Sequence, residues 1–263
     1  MKIIAEIGSN IKSYDDCVNS IKLARKAGAN IVKFQLLSEF DLYGEGSKDY
    51  RPFRIEWLAP LHQVAQENEI EFMCTGFSVD GYKAIDPFVE RHKIASAEIT
   101  AIDLLETVAS FKKPVVLSTG GANINQIHEA MIKLDCCPIT LMACIPKYPA
   151  KLNAVEYLLL LKNGISREDL NFGYSDHSCD ALVIPHGFSK QNISLFEKHA
   201  NFLEYDDTPD SIHSLNFEEF SFMTRILRGE GITFGEILNY NSKEMIEKWQ
   251  RRLINGKYLR PKP

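Results

Sequence analysis

Residues 113–134 read KPVVLSTGGANINQIHEAMIKL. Pro114–Leu117 is a short apolar run that stops at Ser118 and Thr119, passes a glycine pair, and gives way to apolar residues recurring at helical spacing over Ile124–Leu134. A strand that ends in hydroxyls and turns into a helix is one βα unit. The same unit recurs in both directions along the chain. Ile3–Ile7 precedes a helical pattern over Tyr14–Ala27, with Gly28 placed as a C-cap, and Ile31–Phe34 precedes a polar loop through Asp41–Arg54 and a helix over Glu56–Asn68. Ile70–Met73 leads to a helix over Val79–Val89, Lys93–Ala95 to one over Leu104–Phe111, and Ile139–Ala143 to one over Ala154–Leu161. Leu170–Phe172 and Ile193–Phe196 complete eight strand-like runs, and a helix over Phe217–Leu227 follows the last. Alternating strands and helices imply a parallel sheet with helical crossovers. Eight repeats in 263 residues favour a closed (β/α)8 TIM barrel, a single α/β domain over 1–240, above an open doubly wound sheet. Residues 241–263 are expected to form an amphipathic helix and a basic tail.

Composition narrows the class. Apolar content of 45% and charged content of 25% are those of an ordinary globule. No apolar run approaches the roughly 20 residues of a membrane span, and MKIIAEIGSN reaches Glu6 too early for a signal peptide. Six cysteines without CxxC spacing read as reduced thiols, so a cytoplasmic location is expected. A net charge of −5 argues against a nucleic-acid surface, and an anionic substrate would need a local cation cluster.

In barrels of this type, chemistry sits where strands end. Those positions hold Glu6; Lys33 and Gln35; Thr75; Lys93, Ser96 and Glu98; Ser118 and Thr119; Tyr148 in the loop beyond the sixth run; Ser175, Asp176 and His177; and Glu197 with His199. Singly, each has an ordinary explanation: a strand-end hydroxyl is most often a helix cap, a lysine solvated, a histidine structural. Together they place polar groups from every run on one face. His177 and His199, one βα unit apart, suit a Mn, Fe, Co or Zn ion with open positions. Lys33 and Lys93 in an apolar mouth require a compensating anion, and hydroxyls beside them suit a phosphate.

The segments AEIGSN (5–10), VKFQ (32–35), CTGF (74–77), KIASAE (93–98), KPVVLSTGG (113–121), YP (148–149), GYSDHS (173–178) and EKH (197–199) resemble the sialic acid synthase family, in order, from about residue 3 to 225. The resemblance implies a barrel enzyme with a divalent metal, commonly manganese. It implies condensation of phosphoenolpyruvate with an open-chain amino-sugar aldehyde of the N-acetylmannosamine kind, giving a nonulosonic 2-keto acid and phosphate. Carried over, His177 and His199 are the metal ligands; Lys93, Thr75, Ser96, Ser118 and Ser175 hold phosphoenolpyruvate; and Lys33 is a charge partner near the reacting groups. Gln35, Tyr148, Glu197 and Asp210, the last in TPDSIHS, match positions that hold the sugar, and Glu6 is the candidate base for the attacking water.

Some positions depart from the family pattern. Ile11 stands where a histidine is usual, Pro146 replaces a Ser or Asn that contacts phosphoenolpyruvate, and SLFEKHANF changes the surroundings of His199. The C-terminal antifreeze-like domain that reaches across a dimer and supplies an arginine to the sugar is expected to be absent, with Arg251, Arg252 and Arg260 as unassigned basic candidates in its place. Dimerisation is implied by the resemblance, and a partner chain is the expected source of a lid. Two other readings stay open: a Schiff-base aldolase using Lys33 or Lys93, and a catalytically silent homologue acting as a binding subunit.

Overall fold

The computed structural model describes residues 1–37, 53–150, 154–165, 167, 169–232, 249–252 and 258–261. Eight parallel strands close on themselves in chain order: β1 Lys2–Glu6, β2 Ile31–Leu36, β3 Glu71–Gly76, β4 His92–Ile94, β5 Val115–Ser118, β6 Ile139–Cys144, β7 Asn171–Asp176 and β8 Leu195–His199. The helices that return the chain are α1 Tyr14–Lys26, α2 Leu58–Glu67, α3 Val79–Ile85, α4 Ile102–Ser110, α5 Ile124–Lys133, α6 Ala154–Gly164, α7 Val183–Ser189 and α8 Phe217–Leu227. This is the expected (β/α)8 barrel. Most of the expected loop over Asp41–Arg54 lies outside the described residues.

Local chemistry sets the helix starts. Ser13 with Asp16, Asn123 with Gln126, and Asn216 with Glu219 form reciprocal capping boxes at α1, α5 and α8. Ser78 accepts from the Gly81 N–H at the start of α3. The segment between β7 and β8, in which the sequence showed no helix, forms α7. Asp180 accepts from the N–H groups of Leu182 and Ile184, and Pro185 falls in the first turn, where its missing N–H breaks no helical bond.

Two apolar systems position the site. Strand residues facing outward, such as Ile3, Ala5, Phe34 and Leu117, join the helices in one large core. Facing inward, Ile4, Ile31, Met73, Val116, Met142 and Leu195 form a plug inside the barrel. Because side chains alternate, the residues two places further on also point inward, one layer nearer the C-terminal mouth. Those residues are Glu6, Lys33, Thr75, Ser118, Cys144 and Glu197.

The tail corrects the sequence reading. Trp249–Arg252 and Tyr258–Pro261 pair antiparallel as a two-stranded sheet, so these residues are not helical as expected. The boundary drawn at residue 240 lies outside the described residues. Among the described residues, no helix is long and apolar enough to cross a membrane, and no disulfide joins any of the six cysteines.

Candidate active site

The C-terminal mouth opens into a cavity of about 490 Å³, the size of a small-molecule site. Its walls include twelve of the residues expected from the sequence: Lys33, Gln35, Thr75, Lys93, Ser96, Ser118, Tyr148, Ser175, His177, Glu197, His199 and Asp210. Glu98 is a further one, whereas Thr119 and Asp176 are not on the walls. Glu6, level with Lys33 in the barrel, is fully buried behind the lining.

The floor is a charge network. Lys33 Nζ lies 2.9 Å from Glu6 Oε2 and 2.9 Å from Glu197 Oε2, and Lys93 Nζ lies 3.7 Å from Glu197 Oε1. Gln35 Nε2 donates to Glu6 Oε1 at 2.7 Å, and Ser175 Oγ donates to Glu197 Oε1 at 2.9 Å. Strand register explains the convergence: Glu6 stands level with both Lys33 and His199, Thr75 with Lys93, and Ser175 with Glu197. The lysines therefore have internal counter-ions. Glu197, expected to hold a sugar, lies between them, and the requirement for a compensating substrate anion falls away for Lys33.

The two carboxylates differ. Burial and the charge of Glu197 push Glu6 up to about 7 against the attraction of Lys33. Burial also opposes ionisation of Glu197, but Lys33, Lys93 and the Ser175 hydroxyl outweigh it and hold that carboxyl far below its ordinary range. Burial works against the charge on Lys33, yet Glu197 and Glu6 raise its affinity for its proton. Lys93 is lowered, because burial exceeds its single, longer ion pair.

Next to this network, at the end of β7, His177 Nδ1 stands 2.9 Å from the Ile145 carbonyl. Donation there leaves the Nε2 lone pair for the cavity side, where Tyr148 Oη and Ser175 Oγ each lie at 3.2 Å. The Tyr148 ring stacks on His177 with centroids 4.2 Å apart. Burial lowers His177 to about 4 and His199 to about 3, so both rings are neutral near pH 7, the state in which imidazole binds a metal. The Nδ1 atom of His199 is buried without a hydrogen-bond partner. Neutral imidazoles of this kind beside a carboxylate fit a divalent cation.

Asp210 is fixed by the first loop: the Ser9 N–H and Oγ donate to Oδ2 at 2.7 and 2.9 Å. Burial opposes its charge, but His199, His213 and Ser9 together hold the carboxyl below the usual range. Gly8 makes this approach possible, with φ of +54° and only 2.3 Å between an added Cβ and Asp210 Oδ2. Gly8→Ala is expected to lose about 1–2 kcal/mol from the left-handed backbone alone, and more because Asp210 must move. Thermal unfolding checks this, and an unchanged melting temperature would contradict the contact.

Several site residues escaped the sequence reading. Cys144 lines the cavity 3.1 Å from Ser96 Oγ, which also accepts from the Gly120 N–H. Gly120 is required there, since an added Cβ would stand 2.6 Å from Cys144 Sγ. Asp176, expected with the polar groups at the mouth, instead faces outward: it pairs with the fully buried Lys198 at 2.8 Å and accepts from Ser178. His213, one helical turn beyond Asp210, was signalled only by that spacing. Pro146 stands on the cavity wall without a side-chain donor.

The fold and this mouth define a TIM-barrel protein with a buried cation–carboxylate floor and a histidine wall. The sequence matches the NeuB family over residues 20–237, and the chain belongs to that family. It is 27% identical to the pseudaminic acid synthase of Helicobacter pylori over 261 residues, covering 89% of this chain and 76% of that protein. It is 30% identical over 251 residues to the spore coat polysaccharide biosynthesis protein SpsE of Bacillus subtilis, covering 86% of this chain and 66% of that protein. Among solved structures, the N-acetylneuraminic acid (sialic acid) synthetase of Leptospira borgpetersenii superposes with a TM-score of 0.76 at 25% identity, covering 94% of this chain and 92% of that one.

Proposed function

We propose that this chain condenses phosphoenolpyruvate with an amino-sugar aldehyde to a nonulosonic acid and phosphate, with a divalent cation, Mn²⁺ foremost, beside His177 and His199. The observation that carries the reading is the polar floor of a NeuB-family barrel: Lys93 and the hydroxyls of Thr75, Ser96 and Ser118 line one cavity with the two histidines. Thr75 Oγ1 is buried without a hydrogen-bond partner, a donor kept for a ligand. The relatives' names support the product class.

In this reading a cation bound at the histidine wall supplies Lewis acidity toward the aldehyde oxygen. Lys93 and the three hydroxyls hold the phosphate and stabilise it as it leaves. Lys33, within reach of the cavity, is the contact between the attacking water and Glu6. It relays the proton in one concerted step, taking one from the water as it gives one to the Glu6 carboxylate, so that it is an ammonium group before and after. Gln35 holds Glu6 in place for that transfer, through its bond to Oε1.

A Schiff base on Lys33 is opposed by its two ion pairs, which keep the amine protonated and non-nucleophilic. Phosphate release from phosphoenolpyruvate is expected with at least one member of a panel of amino-sugar aldehydes, lost with a chelator and restored by Mn²⁺. Absence of release with every sugar, together with no calorimetric binding of phosphoenolpyruvate, would overturn the reading. A pyruvate adduct trapped by borohydride in the presence of chelator would replace it with the aldolase.

A further inference from the structure

We propose that His213 is a ligand of the divalent cation, so that His199, Asp210 and His213 present a three-donor face to it. This rests on the cation-dependent reading above and goes beyond the strand-end pair His177 and His199. His213 ends the short 3-10 turn Ser211–His213 beyond β8 and is 3% exposed. Neither of its ring nitrogens has a hydrogen-bond partner, and neither does Nδ1 of His199. Native interiors leave few such atoms unsatisfied, because a buried polar atom without a partner has lost its hydration for nothing. A neutral imidazole carries one lone pair and one N–H, so His213 has a lone pair without a partner beside the unpartnered Nδ1 of His199, and a cation would accept both.

Geometry supports the same conclusion. His199, Asp210 and His213 each offer a donor atom within 4.8 Å of the others. His213 Nε2 lies 3.4 Å from Asp210 Oδ1, and His199 Nδ1 lies 3.9 Å from Asp210 Oδ2. Bonds of about 2.0–2.2 Å place neighbouring donors about 2.9–3.6 Å apart. The first distance fits as it stands and the second closes by a few tenths of an ångström; they end on different oxygens of Asp210, so each histidine faces its own carboxylate oxygen. The His199 and His213 rings are 4.5 Å apart at their centroids, against 5.8 Å for His199 and His177. His177 has both nitrogens in hydrogen-bond range of Ile145, Tyr148 and Ser175. Asp210 is pre-set by Ser9, and the Tyr148 ring packs at a tilt against His213 with centroids 4.6 Å apart. Two imidazoles and a carboxylate on one face suit Mn, Fe, Co or Zn and leave positions open for a substrate oxygen.

The test is Co²⁺ binding to the metal-stripped chain, read by calorimetry and by the visible absorption of the bound ion. His213→Ala is expected to weaken binding at least tenfold and change the spectrum, while His213→Asp, which keeps a ligating group, restores affinity to within tenfold. Unchanged affinity and spectrum in His213→Ala would overturn the proposal, as would a wild-type chain that binds no Co²⁺. If His213→Ala fails to fold, the aspartate variant decides: binding retained supports the ligand role, and binding lost in a folded protein overturns it. Phosphate release measured on the same preparations separates the two readings, because Co²⁺ bound through His213 with no turnover would remove the reaction and leave the site.

Discussion

Glu197→Gln is expected to destabilise the folded chain by about 3–5 kcal/mol, the loss seen when one partner of a buried ion pair is removed. The substitution keeps the shape and an acceptor for Ser175 Oγ but takes away the charge that Lys33 and Lys93 share. Two buried ammonium groups then face each other with only Glu6, whose own proton affinity is raised, to compensate them. For a domain of this size the melting temperature should fall by roughly 6–20 °C. The sign with pH is fixed. Glu197 has a lowered folded pKa, so its stabilisation is complete above the ordinary value of 4.5 and is lost as pH falls through the folded value. The gap between wild type and variant should begin to close below about pH 4.5 and vanish only in strong acid. Adding Lys33→Met to Glu197→Gln should recover part of the loss, since it removes one of the stranded charges. An unchanged melting temperature in the single variant would mean that Glu197 is not the counter-ion.

The charge pairing behind that expectation was only half legible in the sequence. The strand ends were, because polar residues interrupt apolar runs there: Glu6 after Ile3–Ala5, Lys33 inside IVKF, Glu197 after Phe196. Which of these would touch was not. Contact depends on the stagger of neighbouring strands around a closed barrel, which places Glu6 level with Lys33 and His199, and no local pattern encodes that stagger. Each lysine alone calls for an anion; only the register shows that Glu197 serves both. Asp176 and Lys198 illustrate the same limit on the outer face, where their side chains meet beneath helices. The helix α7 was not legible because Pro185 and Gly187 are poor helix formers, and the Asp180 carboxylate that accepts from the N–H groups at its start lies outside the helix. His213 was hidden differently, because loop geometry rather than periodicity carries it back beside His199.

Glu6→Gln is expected to lower kcat for phosphate release by about 10²–10⁴, the span of a general-base contribution, while leaving the fold intact. Two buried carboxylates on one lysine, driven apart in proton affinity, divide the work between them. Glu197 stays ionised and holds charge; Glu6, near 7, is the one able to exchange a proton at neutral pH. Activity of the wild type should therefore rise with pH through about 7, since the base must be unprotonated to accept. The variant should lack that limb. Stability should move the other way. A carboxyl raised from 4.5 to about 7 favours folding most in its neutral form, so folding weakens as pH climbs across that window. Glutamine, neutral throughout, removes the slope, so the variant should be at least as stable as the wild type above pH 7 while nearly inactive. Stability and activity changing in opposite directions is the signature of a proton-exchanging group. A merely structural Glu6 would lose both together, and a Glu6 outside the proton path would leave the pH limb in place. The same reasoning gives Lys33 its place in the proposed reaction, because Glu6 is fully buried and its contacts on the cavity wall are the Lys33 ammonium group and the Gln35 amide, of which the ammonium group is the one able to relay a proton.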